Sequence, residues 1–391
     1  MSLPSPPVSH HATASGAVMH ARMMPRSPHE GHRAATPLEL FFDLVFVVAI
    51  AQAAGALHHA ISEGHVAHGL AGYLMVFFAI WWAWMSFTWF ASAYDCDDVP
   101  YRLMVFVQMA GSLVIAAGVP AMFEGERPTT VTIGYLIMRT AVVAQWLRAA
   151  TADPPRRKTA HRYAIGISTL QIAWVALLFL PRLSLAAFVF FACLELLLPM
   201  WAERAAPTPW HPRHIAERYG LLTLIVLGES ILAAMIAVQS ALAGGERVSA
   251  LAPTIVGGLL IVCSMWWMYF DRPVHDLLTS FRRAFMWGYG HYVVFASAAA
   301  VGAGLAANVD EVTAHSRMGP VGAGFAVAIP AAVYLCCLWL LHDRPEYRRT
   351  RAFGPITALL ILLSPFTGQG VLVTGVALAA LVTSKLFVKA G

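Results

Sequence analysis

The feature that most constrains this chain is a series of apolar runs, each long enough for a bilayer-spanning helix, along nearly its whole length. A helix of about 20 apolar residues crosses the hydrocarbon core. Charged residues make up only 12% of the 391 residues, about half of the usual share in soluble domains. The composition excludes a soluble globular enzyme, a disordered protein and a nucleic-acid binder. It predicts an all-α integral membrane protein.

Twelve transmembrane helices are the count that the apolar runs favour, with eleven or ten as alternatives. Residues 1–36 are rich in Pro, Ser, Ala and His without an apolar run, which predicts a disordered cytoplasmic tail. The eleventh span is short and flanked by Pro355 and Pro365, so we expect it to be tilted or partly re-entrant. The predicted spans are 38–60, 69–91, 103–122, 131–150, 162–180, 183–203, 216–240, 251–270, 284–305, 320–341, 353–367 and 369–388.

The distribution of Lys and Arg between the loops predicts the orientation. Of 26 such residues, 21 fall in the tail, the C-terminus and the alternate loops on one side. The opposite side holds only Arg127, Arg182, Arg247 and Arg317. Because cytoplasmic loops carry the excess of positive charge, we expect a multi-pass protein of the bacterial inner membrane with both termini in the cytoplasm.

The two halves of the chain resemble each other in their charge and aromatic patterns. Spans 1 and 7 both carry acids, and spans 2 and 8 are both rich in Trp near their predicted cytoplasmic ends. These features predict two parallel six-helix repeats, 37–205 and 206–391, related by an axis along the membrane normal.

The segment Thr36–Val47 begins the first span and carries two acids. Thr36, Pro37 and Glu39 form the pattern of a capping box with proline at the first helical position. Asp43 lies one turn deeper on the same face as Glu39. A carboxylate in the apolar part of a span is costly and is expected to have a partner or to face a water-filled cavity. Lining of a pathway and purely structural pairing are both open for Asp43.

The segment His214–Ser230 carries the second group of candidates. His214, Glu217 and Arg218 lie at the predicted start of span 7, where capping and surface pairing are the simplest interpretation. Glu229 lies near the middle of that span, beside Gly228. A lone carboxylate at this depth is the strongest functional indication in the sequence, because it is a candidate proton carrier unless a cation neutralises it.

Three further polar residues lie inside predicted spans: Arg139, Glu195 and His291. Arg139 can neutralise one acid, and at least one other acid is then left to bind a proton or an ion or to meet water. The alternative is that Arg139 pairs with an acid only to hold helices together. We expect Asp43 and Glu229 as the titrating groups, Arg139 and Glu195 as their electrostatic partners with His291 nearby, and Glu39, His214, Glu217 and Arg218 at the cytoplasmic mouth.

Four histidines lie close together in the stretch that joins spans 1 and 2: His58, His59, His65 and His68. Irregular spacing and the lack of a completing Cys or Asp make a solvated loop the default interpretation, with metal binding as the alternative. Walker, dinucleotide and His-Glu-x-x-His motifs do not occur, so no cofactor is expected.

The strings Glu-Leu-Phe-Phe-Asp-Leu-Val-Phe-Val within Thr36–Val47 and Glu-Arg-x-Gly-Leu-x-Thr…Leu-Gly-Glu-Ser within His214–Ser230 resemble those of the bacterial low temperature requirement A (LtrA) family. The resemblance extends over residues 36–388 and implies a polytopic inner-membrane protein linked to growth in the cold. Phe41-Phe42-Asp43 also resembles, more faintly, the Phe-Ser-Asp of the lysosomal-type potassium channel family, with Phe42 in place of Ser.

The leading functional hypothesis is passage of an ion or small solute, possibly linked to protons. A membrane-embedded enzyme acting on lipid is the second hypothesis, and a non-catalytic structural or stress-related protein with fully paired charges is the third. The expected partners are the lipid bilayer and the transported species, with a homodimer as an option that no motif specifies, and no nucleic acid.

Overall fold

The computed structural model describes residues 18–28, 30–31, 33–179, 184–343 and 352–390. Within these ranges the secondary structure is helical throughout and contains no strand, which confirms the predicted class. The α-helices are α1 (Pro37–Ser62), α2 (Val66–Tyr94), α3 (Val99–Phe123), α4 (Thr129–Ala152), α5 (Arg157–Leu177), α6 (Leu185–Glu203), α7 (Pro212–Ala243), α8 (Val248–Phe270), α9 (Phe281–Val312), α10 (Gly319–Leu338), α11 (Phe353–Leu363) and α12 (Gly370–Ala390).

Ten helical segments in the described ranges are long and apolar enough to cross a membrane. The two others are α5, whose first turns carry several basic residues, and α11. With 11 residues, α11 rises only about 16 Å at 1.5 Å per residue, about half of the hydrocarbon thickness. A short 3₁₀ segment, Ser364–Thr367, follows it. The eleventh segment is therefore short, as its flanking prolines predict.

The starts of α1 and α7 show how local sequence sets the helix ends. The predicted capping box is present: Thr36 Oγ1 accepts a hydrogen bond from the Glu39 amide, and Glu39 Oε2 accepts one from the Thr36 amide at 2.8 Å. In α7, Nδ1 of the N-cap residue His211 accepts a bond from the His214 amide, and Pro212 follows at the first helical position. Because α7 begins at Pro212 rather than near residue 216, its first polar residues belong to the helix and not to a loop.

Helices α2 and α9 are the most buried of the spanning segments. Helix α9 packs against α1, α7 and α10, and α1 also packs against α7. The pairs α1–α3, α3–α4 and α4–α5 have counterparts in α7–α9, α9–α10 and α10–α11. The predicted pair of parallel six-helix repeats, 37–205 and 206–391, stays a prediction.

The second half of the predicted disordered tail makes defined contacts with one end of the helix bundle. The Arg33 guanidinium donates to the carbonyl oxygens of Ala91 and Ser92 at the end of α2. The amide of Arg26 donates to the Ala93 carbonyl, and Met23 is buried. Residues 1–17 lie outside the described residues. The described part of the tail therefore satisfies carbonyl groups that the last turn of α2 leaves without helical partners.

Glycines permit the close approach of α9 to its neighbours. A Cβ atom on Gly304 would overlap the carbonyl oxygen of Ala326 on α10, and one on Gly302 would lie 2.7 Å from Cα of Ser230 on α7. Membrane helices associate through such small-residue contacts because no hydrophobic effect drives them together.

We predict that Gly304→Ala lowers the melting temperature of the purified protein in detergent, because α9 and α10 must move apart and overpacking costs about 1–3 kcal/mol. Gly55→Ala is the matched control, since nothing lies within 4 Å of a Cβ atom at that position on α1. The control is expected to be neutral or slightly stabilising because alanine favours a helix. Equal melting temperatures for the two variants would contradict the close approach.

Candidate functional site

Four buried polar residues join α1 to α7, and we refer to Glu39, Asp43, His214 and Arg218 as the central cluster. The Arg218 guanidinium bridges both acids, with Nη2 2.6 Å from Asp43 Oδ1 and Nη1 2.9 Å from Glu39 Oε1. Nε2 of His214 lies 3.1 Å from Glu39 Oε1. Each of the four side chains is at most 1% exposed. These residues are therefore buried contacts between helices and not an open mouth.

Further hydrogen bonds complete the coordination of Asp43. Nε1 of Trp84 on α2 donates to Asp43 Oδ1 at 2.7 Å, and a second bond from Arg218, through Nε, reaches Asp43 Oδ2 at 3.2 Å. A buried charge is tolerated when it is paired and its remaining lone pairs accept hydrogen bonds. Asp43 meets both conditions, so its observed surroundings fit the structural-pairing interpretation of this residue.

A second buried ion pair joins the middles of α4 and α6. Nη2 of Arg139 lies 2.7 Å from Glu195 Oε2, and the two side chains are 4% and 1% exposed. Arg139 also donates to the hydroxyl of Tyr135 and lies over its ring, 4.7 Å from the centroid. Trp82 and Trp174 donate to the two oxygens of Glu195, at 2.9 and 3.3 Å. The pair is thus held by indole donors from α2 and α5 and by the tyrosine hydroxyl of α4, which accepts from Arg139.

Two cavities approach this pair from opposite ends of the first six helices. The Glu203 cavity has a free volume of about 40 Å³ and is lined by Arg139 and Glu203 together with residues towards the C-terminal ends of α2, α4 and α6. The Glu195 cavity has a free volume of about 60 Å³ and is lined by Glu195 and residues towards the N-terminal ends of the same helices. Neither cavity is fully enclosed. The Arg139–Glu195 pair therefore lies between two partly open spaces.

The remaining candidates of the second half lie apart from these cavities. Glu229 on α7 is half-buried and has no hydrogen bond or ion pair among the described residues. His291 on α9 is fully buried, where Nε2 meets the hydroxyl of Tyr269 at 2.9 Å and Nδ1 donates to the Trp287 carbonyl. Glu217 is partly exposed. The expected pairing of Arg139 and Glu195 with Asp43 and Glu229 is not what the structure has, because Arg139 and Glu195 pair with each other.

The histidines near the α1–α2 connection do not converge on one point. His58 contacts Asp310 of α9 at 2.7 Å, and His68 contacts the carbonyl of Phe123. His59 and His65 are exposed. Across the described residues, no three His, Cys, Asp or Glu side chains are close enough together to hold a metal ion. The observed contacts tie the ends of α1, α2, α3 and α9 to one another.

Comparison with known proteins agrees with the two sequence strings noted above. The family model described as bacterial low temperature requirement A protein (LtrA) matches residues 34–390. The chain belongs to the LtrA family. It is also 27% identical over 271 residues to an uncharacterized protein of Rhizobium meliloti (strain 1021), a match that takes in 65% of this chain and 64% of that relative. The chain thus spans less than two thirds of the relative's length.

Several partners in this LtrA-family structure carry no clear sign in the sequence. Trp82, Trp84 and Trp174 belong to aromatic stretches that read as packing, yet each donates to a buried carboxylate. Asp98 caps α3 and pairs with Arg148 of α4, which also holds the Ala21 carbonyl of the tail. The position of Asp98 just before a helix could have suggested a cap, but the sequence gives no sign that Arg148 is its partner.

The central cluster leads to a stability prediction. Arg218→Gln leaves Asp43 and Glu39 buried without their guanidinium, and loss of one partner of a buried pair costs about 3–5 kcal/mol. We expect a large drop in the melting temperature in detergent, partly recovered in the double variant Arg218→Gln/Asp43→Asn because one buried charge is removed. The control Arg317→Gln, whose pair with Glu63 is exposed, should change stability by less than about 0.5 kcal/mol. Additive losses in the double variant would contradict the pairing.

A pH dependence follows from Asp95, which ends α2 outside the spanning segment and is 6% exposed. Burial, together with the nearby negative charge of Glu39, raises the pKa of Asp95 from 3.8 to about 6. The folded state therefore favours the protonated acid, and this contribution to stability is lost as the pH rises through about 6.

We expect Asp95→Asn to stabilise the protein at pH 8 by up to about 3 kcal/mol, since each pKa unit is worth about 1.4 kcal/mol. The advantage should fade towards pH 4, where wild-type Asp95 is itself protonated in the fold. Unfolding of both proteins measured across this range tests the prediction. A difference that does not change with pH would exclude a raised pKa.

Proposed function

We propose that this LtrA-family protein passes an ion or small solute across the bacterial inner membrane through its first six helices. The observation that carries the proposal is the placement of the Arg139–Glu195 pair between two cavities that are lined by residues towards opposite ends of α2, α4 and α6. The distribution of Lys and Arg along the sequence supports cytoplasmic termini, and with that orientation the Glu203 cavity would lie on the cytoplasmic side.

We propose that the Arg139–Glu195 pair blocks the route and opens only when a ligand takes the place of one partner. Opening it leaves two desolvated charges, which is strongly unfavourable unless a proton or a ligand replaces one partner. Tyr135 retains Arg139 by a hydrogen bond and a ring contact, so Glu195 is the side chain that exchanges its partner. Binding of the permeating cation by the Glu195 carboxylate would then lower the cost of opening, and a variant without that carboxylate would lose this assistance.

The central cluster has a different place in this proposal. Arg218 already provides the counter-charge for Asp43 and Glu39, and none of the cluster residues lines the two cavities. We propose that the central cluster holds the two halves of the bundle together. Glu229 lies on α7 and also lines neither cavity. A variant without this carboxylate therefore distinguishes a route through the first six helices from a route along α7.

The alternative function, a lipid-modifying enzyme, would require a cleft that opens sideways to the lipid and contains an acid and a histidine close together. A cleft between α4 and α5 does reach Arg139, and its other polar residues are Thr140, Ser168 and Gln171. Its lining contains neither an acid nor a histidine among the described residues. Transport is therefore the function that the geometry supports better.

Flux in proteoliposomes tests the proposal. Purified protein in vesicles with a pH dye would be exposed in turn to K⁺, Na⁺ and H⁺ gradients. We expect flux in the wild type and at least a tenfold loss in Glu195→Gln, because Arg139 then remains uncompensated in the route. Glu229→Gln is the matched control for removal of a carboxylate and should retain flux.

Two results would count against this route. Equal flux in Glu195→Gln and wild type would exclude the pair as the barrier, and loss of flux in Glu229→Gln alone would favour a path along α7. No flux under any gradient from folded wild-type protein would contradict transport of these ions. Melting curves of each variant show whether the reconstituted protein is folded.

A further inference from the structure

Glu203 is a buried carboxylate without a cationic partner. It is the last residue of α6 and is 8% exposed. Its oxygens accept hydrogen bonds from the hydroxyl of Tyr163 at 2.9 Å and from the amide and hydroxyl of Thr208 at 2.7 and 2.9 Å. Within the described residues no Lys, Arg or His lies within ion-pairing distance of it. Arg156, which pairs with Asp153, attracts the Glu203 carboxylate only from beyond that distance. The carboxylate is therefore open to a cationic ligand in the cavity that it lines.

The charges around the Glu203 cavity leave a net negative balance. The other charged lining residue is Arg139, whose guanidinium already pairs with Glu195. An anion would meet the uncompensated Glu203 in a poorly hydrated space, where like charges repel strongly. The cavity thus disfavours an anion and favours a cation.

Aromatic residues make up half of the remaining lining of the Glu203 cavity, including Trp82, Trp89, Trp146, Tyr163 and Phe285. The rings are fixed by mutual packing: Trp146 stacks on Tyr163 with centroids 4.1 Å apart, and Trp89 lies 4.8 Å from Phe285. Aromatic faces attract cations, most strongly alkylated ammonium groups in a cage of rings. The wall is therefore preorganised for a cation with apolar substituents.

The Glu195 cavity repeats the same combination on the other side of the pair. Phe78, Tyr135, Trp174 and Phe188 contribute rings to its lining, and Glu195 is its one charged lining residue among those described. Both ends of the proposed route thus combine aromatic side chains with a carboxylate. A dehydrated Ca²⁺ or Mg²⁺ ion is a poor match, because it requires six or more oxygen ligands.

From these features we propose that the route binds a small organic cation, a primary amine or a quaternary ammonium compound, with Glu203 as the first counter-charge. This substrate class rests on the proposed function. From the Glu195 cavity the cation meets Glu195 directly and supplies the positive charge that Arg139 otherwise provides, whereas from the Glu203 cavity it reaches Glu195 only past Arg139. The ligand therefore offsets the cost of opening the ion pair that blocks its own passage.

Choline and its neutral isostere 3,3-dimethyl-1-butanol provide a matched pair of probes, because they share shape and hydroxyl and differ only in charge. Binding of radiolabelled choline to the purified full chain in nanodiscs would be measured by equilibrium dialysis, with the isostere as competitor. We expect saturable choline binding that the isostere does not displace. Glu203→Gln should weaken this binding at least tenfold.

Two further variants keep the test independent of folding defects. Phe285→Leu retains the charge of the cavity but removes one ring, and we expect a several-fold loss of choline affinity with the isostere still inert. Glu246→Gln removes the same charge as Glu203→Gln in the α7–α8 connection, outside both cavities, and should bind choline as the wild type does.

The outcomes separate this inference from the proposed function. Flux of an inorganic ion that depends on Glu195, without choline binding, would overturn the organic-cation inference and leave transport standing. Choline binding that depends on Glu203, without flux of choline or of any ion, would support the cation site and overturn transport. Equal affinity for choline and its isostere, or unchanged binding in Glu203→Gln, would overturn the cation site.

Discussion

The guanidinium of Arg218, held between two carboxylates of α1, is the contact on which the rest of the structure depends. In the low dielectric of a membrane bundle, neither the acids nor the base could be buried alone. The two contacts Asp43–Arg218 and Glu39–His214 each join residues 175 positions apart. Both helices also begin with an N-cap residue followed by proline. Opposite charges thus occupy matching turns of two similar helix starts, which fixes the register of α1 against α7.

A fixed centre limits where the protein can change shape. Helix α9, the most buried span, packs against both α1 and α7, and its glycines hold α10 and α7 at close range. The helices that carry Arg139 and Glu195 lie outside this tightly packed group, with unfilled space on both sides of their ion pair. Packed interiors resist continuous deformation, so motion that opens a path is better accommodated by α4, α5 and α6 than by the central cluster.

The sequence predicts those parts of the fold that depend on neighbouring residues. The apolar runs indicate the helices, the Thr36 capping box indicates the start of α1, and the flanking prolines indicate a short eleventh segment. The depth of Asp43 also shows that it needs a partner. The sequence does not name that partner, because the contact with Arg218 spans the two halves of the chain. Arg218 itself resembles a loop residue until Pro212 is seen to start the helix one turn earlier. Arg33 has no periodic pattern that would place it against the end of α2.

Depth in a span is a weaker guide to a transport route than the balance of charge around a cavity. Glu229 is the most conspicuous acid by hydropathy, yet it is half-buried on α7 and lines neither cavity. Glu203 is the last residue of its helix, and an acid at that position is normally interpreted as an interfacial residue. In the fold it is buried among aromatic rings and has no cation within ion-pairing distance. A buried carboxylate that holds no guanidinium can still pair with a cationic ligand, whereas one that already holds a guanidinium cannot. This difference, visible only in the folded chain, separates Glu203 from Asp43 and makes the first six helices the better candidate for the route.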